Sequence, residues 1–410
     1  MRRIKILCIL ACVISFNNYS QVKILFDATK AETAGNADWV IDADLNNLNW
    51  SPNACVGCGN ESNAQKIPTA AQSGITASTP ETFWTGSLSN WGVDCVKKGY
   101  IVETLPYNGL ITYGSMTNPQ DLKYYKVFIV DEPNILFTAS EKAAIMNFVK
   151  NGGGLFMISD HDVSDRNGDG SDSPGIWNDL IQNNSVQNNA FGFSFNLDNF
   201  SQTSSNVLVS PTDSILHGPM GNVTQVKWSN GTSMTLSTSQ NPTVKGVVFQ
   251  TGASTAGSNS VMCAYSRWYA GKVAAIGDSS PPDDGTGDVN DVLYNGYTLD
   301  ASGNHQRLIM NITIWLALGG TATGIDEQQN NTDHQIYPNP SNDKFTLAFS
   351  KSQNTATIEI SDVNGRTILN REVVDESEII INTSEYNNGI YFVKVNSGNS
   401  SSVSKIAVMH

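Results

Sequence analysis

The chain has 410 residues, with 24 Lys and Arg against 38 Asp and Glu, a formal net charge of −14 and an isoelectric point near 4.7. Its basic residues are scattered, which excludes a nucleic-acid partner bound through a basic stripe and makes cations the natural counterpart of the surface. Beyond the first apolar run nothing approaches the roughly eighteen apolar residues of a spanning helix, so no transmembrane segment is expected.

At the N-terminus Arg2, Arg3 and Lys5 precede the apolar run Ile6 to Phe16, and Tyr19-Ser20-Gln21 offers a small-residue cleavage point. Residues 1–21 therefore read as a signal peptide. Maturation in an oxidising compartment then permits disulfides among Cys55, Cys58, Cys95 and Cys263. Cys55-Val56-Gly57-Cys58 lacks the second pair or the histidines of a zinc site, and reads as a local disulfide, with Cys95 and Cys263 as buried thiols.

Residues 22–320 alternate strand and helix signals, apart from an irregular insertion at about 42–95. Apolar strands are expected at Val22 to Phe26, Tyr100 to Leu105 and Tyr125 to Val130. Thr138-x-x-Glu141 then forms a capping box, and Ala144, Ile145, Phe148 and Val149 follow at helical spacing before Asn151-Gly152-Gly153-Gly154 ends the helix. Leu155 to Ser159 is apolar throughout, as a strand buried on both faces would be. Further strands are expected at Gly246 to Gln250, Val261 to Tyr265 and Lys272 to Ile276, and a closing helix from about His305 to Leu318. This order predicts an α/β fold with a doubly wound, mostly parallel sheet, whose ligands bind at the carboxyl ends of its strands.

Those strand ends carry the chemistry. The third strand is followed by Asp131-Glu132-Pro133-Asn134, the fourth by Asp160-His161-Asp162, and the strand ending at Ile276 by Asp278-Ser279-Ser280; Asp27, Lys30 and Glu32 follow the first. Glu132, Asp160, His161 and Asp278 are the candidate catalytic residues: Asp160, His161 and Asp278 would hold a divalent cation that lowers the pKa of bound water, while Glu132 or His161 moves protons. Asp27, Lys30, Glu32, Asn134 and Ser279 are the candidate substrate contacts. The bland alternative is that Asp here caps helices and turns. Of the other histidines, His217 reads as part of a structural turn, and His305 as a capping or surface residue.

Asp165-Arg166-Asn167-Gly168-Asp169-Gly170 has the spacing of the first half of a calcium loop, with Gly at the sixth position, yet its twelfth position is Ile176 and not Glu. A bound Ca²⁺ on Asp165, Asn167, Asp169 and Asp172 is expected, and a solvated Asx turn needing no ion stays open beside it.

A polar stretch, residues 321–335, reads as a linker. From 336 to 410 short strand signals recur at Lys344 to Phe349, Thr355 to Ile360, Ile379 to Ile381, Ile390 to Val395 and Ser404 to Val408, with Asn364-Gly365 and Asn388-Gly389 as turns, which suggests a small all-β sandwich. The series Tyr337-Pro338-Asn339-Pro340, Asp362-Val363-Asn364-Gly365-Arg366, Asn388-Gly389-Ile390-Tyr391-Phe392-Val393-Lys394-Val395 and Lys405-Ile406-Ala407-Val408 resembles the type A C-terminal sorting domain of the Bacteroidetes type IX secretion system. The resemblance implies engagement with that machinery and delivery to the cell surface or medium.

The larger region also carries a resemblance. Gly152-Gly153-Gly154-Leu155-Phe156-Met157-Ile158-Ser159-Asp160-His161, Ile215-Leu216-His217-Gly218-Pro219-Met220-Gly221, Gly271 to Ser280 and the helix around Leu308 to Leu316 look like the class I glutamine amidotransferase-like superfamily, in branches similar to trehalose-utilisation-type, gliding-motility and intraflagellar-transport proteins. That resemblance implies a flavodoxin-like sheet. It does not imply glutaminase chemistry, because no glycine-flanked Cys or Ser elbow follows a strand. The expectation is a secreted metal-dependent hydrolase of an extracellular substrate, with carbohydrate as the leading class. The alternatives are a non-catalytic carbohydrate- or protein-binding module, with several Trp as stacking surfaces, and a structural envelope protein.

Overall fold

A computed structural model describes residues 21–34, 37–41, 70–84, 86–286, 295–318, 334–339, 341–353, 355–362, 366–397 and 400–410. The signal peptide, Cys55, Cys58, Trp50 and most of the linker lie outside the described residues. The chain divides into two compact units, residues 1–321 and 322–410.

In the first unit, β1 (Lys23–Asp27), α1 (Ser89–Lys97), β2 (Ile101–Leu105), β3 (Val127–Asp131), α2 (Ala139–Lys150), β4 (Gly154–Ile158) and α3 (Ser173–Gln182) are followed by β5 (Phe193–Phe195), β6 (Phe200–Ser204), β7 (Val226–Gly231), β8 (Met234–Leu236), β9 (Lys245–Phe249), β10 (Val261–Trp268), β11 (Gly271–Ile276) and α4 (Asn304–Ala317). The central sheet has nine strands in the order β2-β1-β3-β4-β11-β10-β8-β5, with β9 also paired to β10. Strands β2, β1, β3, β4 and β11 run parallel, whereas β11 to β10, β10 to β9, β10 to β8 and β8 to β5 are antiparallel. The expected mostly parallel sheet is therefore a mixed one, with an antiparallel flank after β11. β10 returns directly beside β11 across the short Tyr269-Ala270 turn, a link that only antiparallel neighbours can make.

The parallel strands are apolar on both faces because helices cover both. Ile24, Phe26, Val127, Ile129, Phe156, Ile158, Ala274 and Ile276 face one core, which includes Trp91 of α1 and Leu308 and Ile312 of α4. Leu25, Phe128, Val130, Leu155, Met157, Val273 and Ala275 face the other, with Ile145 and Phe148 of α2 and Trp177 of α3. The capping box of α2 is present, with Thr138 accepting from the Glu141 amide and Glu141 accepting from the Thr138 amide at 2.8 Å. Cys95 and Cys263 are free and buried.

The second unit contains β12 (His334–Tyr337), β13 (Lys344–Gln353), β14 (Ala356–Asp362), β15 (Thr367–Val373), β16 (Glu376–Asn382), β17 (Gly389–Ser397) and β18 (Ser400–Val408). They form two antiparallel sheets, β12-β13-β16 and β15-β14-β17-β18. One apolar cluster draws on both, with Phe345, Leu347 and Ile381 from the first and Ile358, Ile360, Val393 and Ile406 from the second. All five strands expected here are present, joined by β12 and β15.

Candidate active site

Alternation along the strands decides which strand-end groups meet. Asp131 and Asp278 continue the Ile129 and Ile276 positions onto the α1 and α4 face, whereas Asp27 continues Leu25 onto the α2 face. The expected rim is thereby split into two groups.

At the centre of the first group is Glu132, fully buried and in a left-handed backbone conformation, φ +43°. For a residue with a long side chain such a turn is costly and recurs where function demands it. Its amide donates to the Ile158 carbonyl at 3.1 Å, which ties the turn to β4. Three donors converge on its carboxylate: Arg166 Nε on Oε1 at 3.1 Å, and Trp39 Nε1 at 2.9 Å and Ser279 Oγ at 2.7 Å on Oε2. Arg166 Nη2 also reaches Asp160 Oδ2 at 3.0 Å, so one guanidinium bridges two buried carboxylates from adjacent strand ends. His161 Nε2 stands 3.5 Å from the same Asp160 oxygen, while Asn199 Nδ2 lies 3.0 Å from His161 Nδ1.

Burial raises the Asp160 carboxyl well above the usual range; the charges of Glu132 and Asp278 add to this, and Arg166 opposes it. Asp278 is pushed up to about 7, again by burial first, with the Ser280 and Ser229 amides pulling it down. Asp278 Oδ1 accepts from Ser280 N at 2.8 Å, and Oδ2 accepts from Ser229 N. A neutral acid next to hydrogen-bonded carboxylates is the raw material of proton transfer.

The structure thus brings Glu132, Asp160, His161, Asp278 and Ser279 together, and sequence reasoning missed Arg166 and Trp39 as their partners. Arg166 lies inside the calcium-like string, and only the fold turns it back to Glu132. The remaining expected contacts form the second group. Lys30 Nζ pairs with Glu141 Oε2 at 2.7 Å, Lys30 N donates to Glu32 Oε2 at 2.9 Å, and Thr29 Oγ1 donates to Asp27 Oδ2 at 3.1 Å. Burial raises Asp27 and, more strongly, Glu32, and the Asp27 charge adds to the rise of Glu32. Asn134 joins the groups structurally, its Nδ2 donating to the Ala31 and Glu132 carbonyls at 2.8 and 2.9 Å.

In the Asp165 loop the side chains turn onto backbone. Asp165 accepts from the Asp169 and Gly170 amides at 3.0 and 2.8 Å, Asn167 Oδ1 from the Asp169 amide at 3.2 Å, Asp169 from Ser171 N at 2.9 Å, and Asp172 from Val163 N at 2.9 Å. Among the described residues no three His, Cys, Asp or Glu side chains stand at metal-ligand spacing. His305 is buried and not a surface residue: its Nε2 accepts from Lys227 N and its Nδ1 faces the Gly296 carbonyl, both at 2.9 Å. Trp39, Trp84, Trp91, Trp177, Trp228 and Trp268 are all buried, which removes them as exposed stacking surfaces.

Residues 335–409 match the family described as a secretion system C-terminal sorting domain. Over 94 residues the chain is 29% identical to an endo-acting ulvan lyase of Formosa agariphila, a match covering 23% of this chain and 18% of that protein. The chain thus spans less than a fifth of that relative's length. Among solved structures, the mmIFT52 N-terminal domain aligns over 72% of this chain and 97% of its own at 14% identity and a TM-score of 0.39. A cytoplasmic protein of Salmonella typhimurium aligns over 56% and 87% at 14% identity and a TM-score of 0.33. No helix among the described residues is long and apolar enough to cross a membrane. Residues 335–409 are a type IX C-terminal sorting domain, and the chain is exported to the cell surface or the extracellular space.

Proposed function

We propose that the first unit is a hydrolase that acts by general acid–base chemistry on an extracellular substrate, with carbohydrate the leading class. The observation that carries this reading is the Arg166 bridge between Glu132 and Asp160, which fixes two carboxylates of different environment beside Asp278 and His161. In this mechanism Asp160, whose carboxyl burial raises well above the usual range, supplies the proton to the leaving group, and His161, at the outer lip, moves the proton of the attacking water. Glu132 holds Arg166 and sets the field of the site. Export and the short match to an endo-acting ulvan lyase support a carbohydrate substrate. The order and parallel pairing of β2, β1, β3, β4 and β11 support an amidotransferase-like ancestry for the unit, with a flavodoxin-like core. The spacing of Asp165, Asn167, Asp169 and Asp172 supports Ca²⁺ as a stabiliser of the neighbouring loop. Burial of the described tryptophans favours catalysis over a glycan-binding module built on them.

The test is a panel of soluble polysaccharides and esters offered to the mature protein, to Asp160→Asn and to His161→Ala. Loss of a proton donor or relay removes about 10²–10⁴-fold of rate. Hydrolysis at wild-type rate by both variants would exclude this assignment.

A further inference from the structure

We propose that Asp172 is a positioning residue for His161, acting through the peptide bond between Asp162 and Val163 so that the imidazole offers a bare Nε2 to the reaction. The proposal rests on the hydrolase reading and deepens it by fixing which ring nitrogen takes the proton. His161 Nδ1 lies 2.5 Å from the Asp162 carbonyl oxygen. A carbonyl oxygen only accepts, so the hydrogen of the neutral ring sits on Nδ1 and Nε2 keeps its lone pair. Asn199, whose amide lies 3.0 Å from the same nitrogen, serves it equally well with its oxygen after a half-turn of that amide. The carbonyl has no such choice, and it decides the tautomer.

The other end of the same peptide unit is held by Asp172, which accepts from Val163 N at 2.9 Å on Oδ2. The imidazole, the peptide and the carboxyl group therefore form a chain of two hydrogen bonds, in which each polarises the next. Directly after this peptide Val163 takes a left-handed conformation, φ +59°, which a β-branched residue rarely adopts and which recurs where function demands it. Its side chain is 77% exposed, so packing does not hold it there. The hydrogen bonds around it do, with Asp162 N donating to the Asp198 carbonyl at 3.1 Å. The bare Nε2 then stands 3.5 Å from Asp160 Oδ2. In turnover the water oxygen bonds to the electrophilic carbon of the substrate and one water hydrogen passes to Nε2. The bond from that carbon to the leaving oxygen breaks with its electron pair on the oxygen, which takes the Asp160 proton. The imidazolium now faces the Asp160 carboxylate and returns the proton to it, which resets both groups while the hydrogen on Nδ1 stays in place.

The experiment is two-bond proton–nitrogen correlation NMR of the mature full chain with isotope-labelled histidine, at about pH 8, where an ordinary imidazole is neutral. The His161 signals are identified by their loss in His161→Ala. The expected result is hydrogen on Nδ1 in the wild type and in Asp172→Asn, which keeps an acceptor oxygen, and a mixture of tautomers in Asp172→Ala. Val163→Gly, which relieves the left-handed strain and keeps the amide, is expected to retain hydrogen on Nδ1. A carboxylate bonded directly to a catalytic histidine is worth about 10⁴-fold in kcat, and acting through one peptide Asp172 is expected to be worth about tenfold, with KM unchanged and with recovery in Asp172→Asn. Hydrogen on Nε2 in the wild type, or an unchanged tautomer in Asp172→Ala, overturns the proposal. So does an Asp172→Asn protein that behaves as Asp172→Ala does. Hydrogen on Nδ1 that Asp172→Ala loses, without turnover of any substrate by the wild type, supports the positioning and removes the hydrolase. Turnover by a wild type with hydrogen on Nε2 overturns the positioning and leaves the hydrolase standing.

Discussion

Arg166 reaches back 34 residues to Glu132, Nε to Oε1 at 3.1 Å, and in doing so joins the loop after β4 to the turn after β3. Both carboxylates it bridges are buried, while the Arg166 side chain is 28% exposed. Removing one partner of a buried pair leaves an uncompensated charge. Arg166→Ala is expected to lose about 2–3 kcal/mol in urea unfolding, the partial exposure of the Arg166 side chain keeping the loss below that of a fully buried pair. Arg166→Lys should recover less than half of it, because a point charge cannot serve both carboxylates at once. Full recovery by Lys would show that charge alone, and not the fork, holds the site.

Ser279 and Trp39 complete the Glu132 environment from the loop after β11 and from the loop after β1. Ser279→Ala should cost about 1–2 kcal/mol through loss of one of the two donors to the buried Oε2, which keeps Trp39 Nε1. Combined with Arg166→Ala, the loss should fall short of the sum, because both substitutions act on one carboxylate. A double-mutant cycle by chemical denaturation measures this; strict additivity would mean the two donors act independently.

What the sequence disclosed follows from local physics. β3, β4 and β11 are apolar on both faces, and α2 announces itself through Thr138 and Glu141, so each was legible from its own residues. α1 was not, because Asn90, Gly92 and Asp94 interrupt its apolar pattern. Distant partners hold this stretch in place: Asp284 accepts from the Asn90 backbone amide, and Tyr297 and Gln306 donate to Asp94 at 2.9 and 2.7 Å. The candidate site was legible as a set of strand-end carboxylates, but its division was not. That division depends on which face each strand presents, and the sequence order does not state where Asp27 and Asp131 part company.

Gly277 links β11 to Asp278, and a Cβ there would lie 2.0 Å from the Thr232 carbonyl oxygen, while the Thr232 amide donates to the Gly277 oxygen at 2.6 Å. Backbone on both sides leaves nothing to yield. Gly277→Ala should therefore destabilise by about 3 kcal/mol or more and displace Asp278. Gly175 in α3 is the opposite case, with nothing within 4 Å of the place a methyl would take, and Gly175→Ala should stabilise by about 0.5–1 kcal/mol. Equal effects of the two changes would contradict the packing described.

His305 gives the clearest pH signature. Burial lowers its pKa from 6.5 to about 4, against the pull of the Gly296 carbonyl and Asp300, and its Nε2 must stay unprotonated to accept from Lys227 N. Between pH 4 and 6.5 the unfolded chain binds the proton and the folded one does not, so stability rises with pH across that window. The contribution is complete above pH 6.5 and is lost as pH falls through about 4; a shift of this size corresponds to at most about 3 kcal/mol. Asp27, Glu32 and Asp160, whose carboxyls are raised in the fold, act in the opposite sense and gain stability as pH falls. Only the difference between two proteins is therefore diagnostic. Urea unfolding of wild type and His305→Gln at about pH 7 and about pH 4 should show the wild type losing more on acidification, with the two proteins converging at the acid end. Parallel losses would mean that His305 keeps an ordinary pKa and that its bond to the Lys227 amide does not hold in solution.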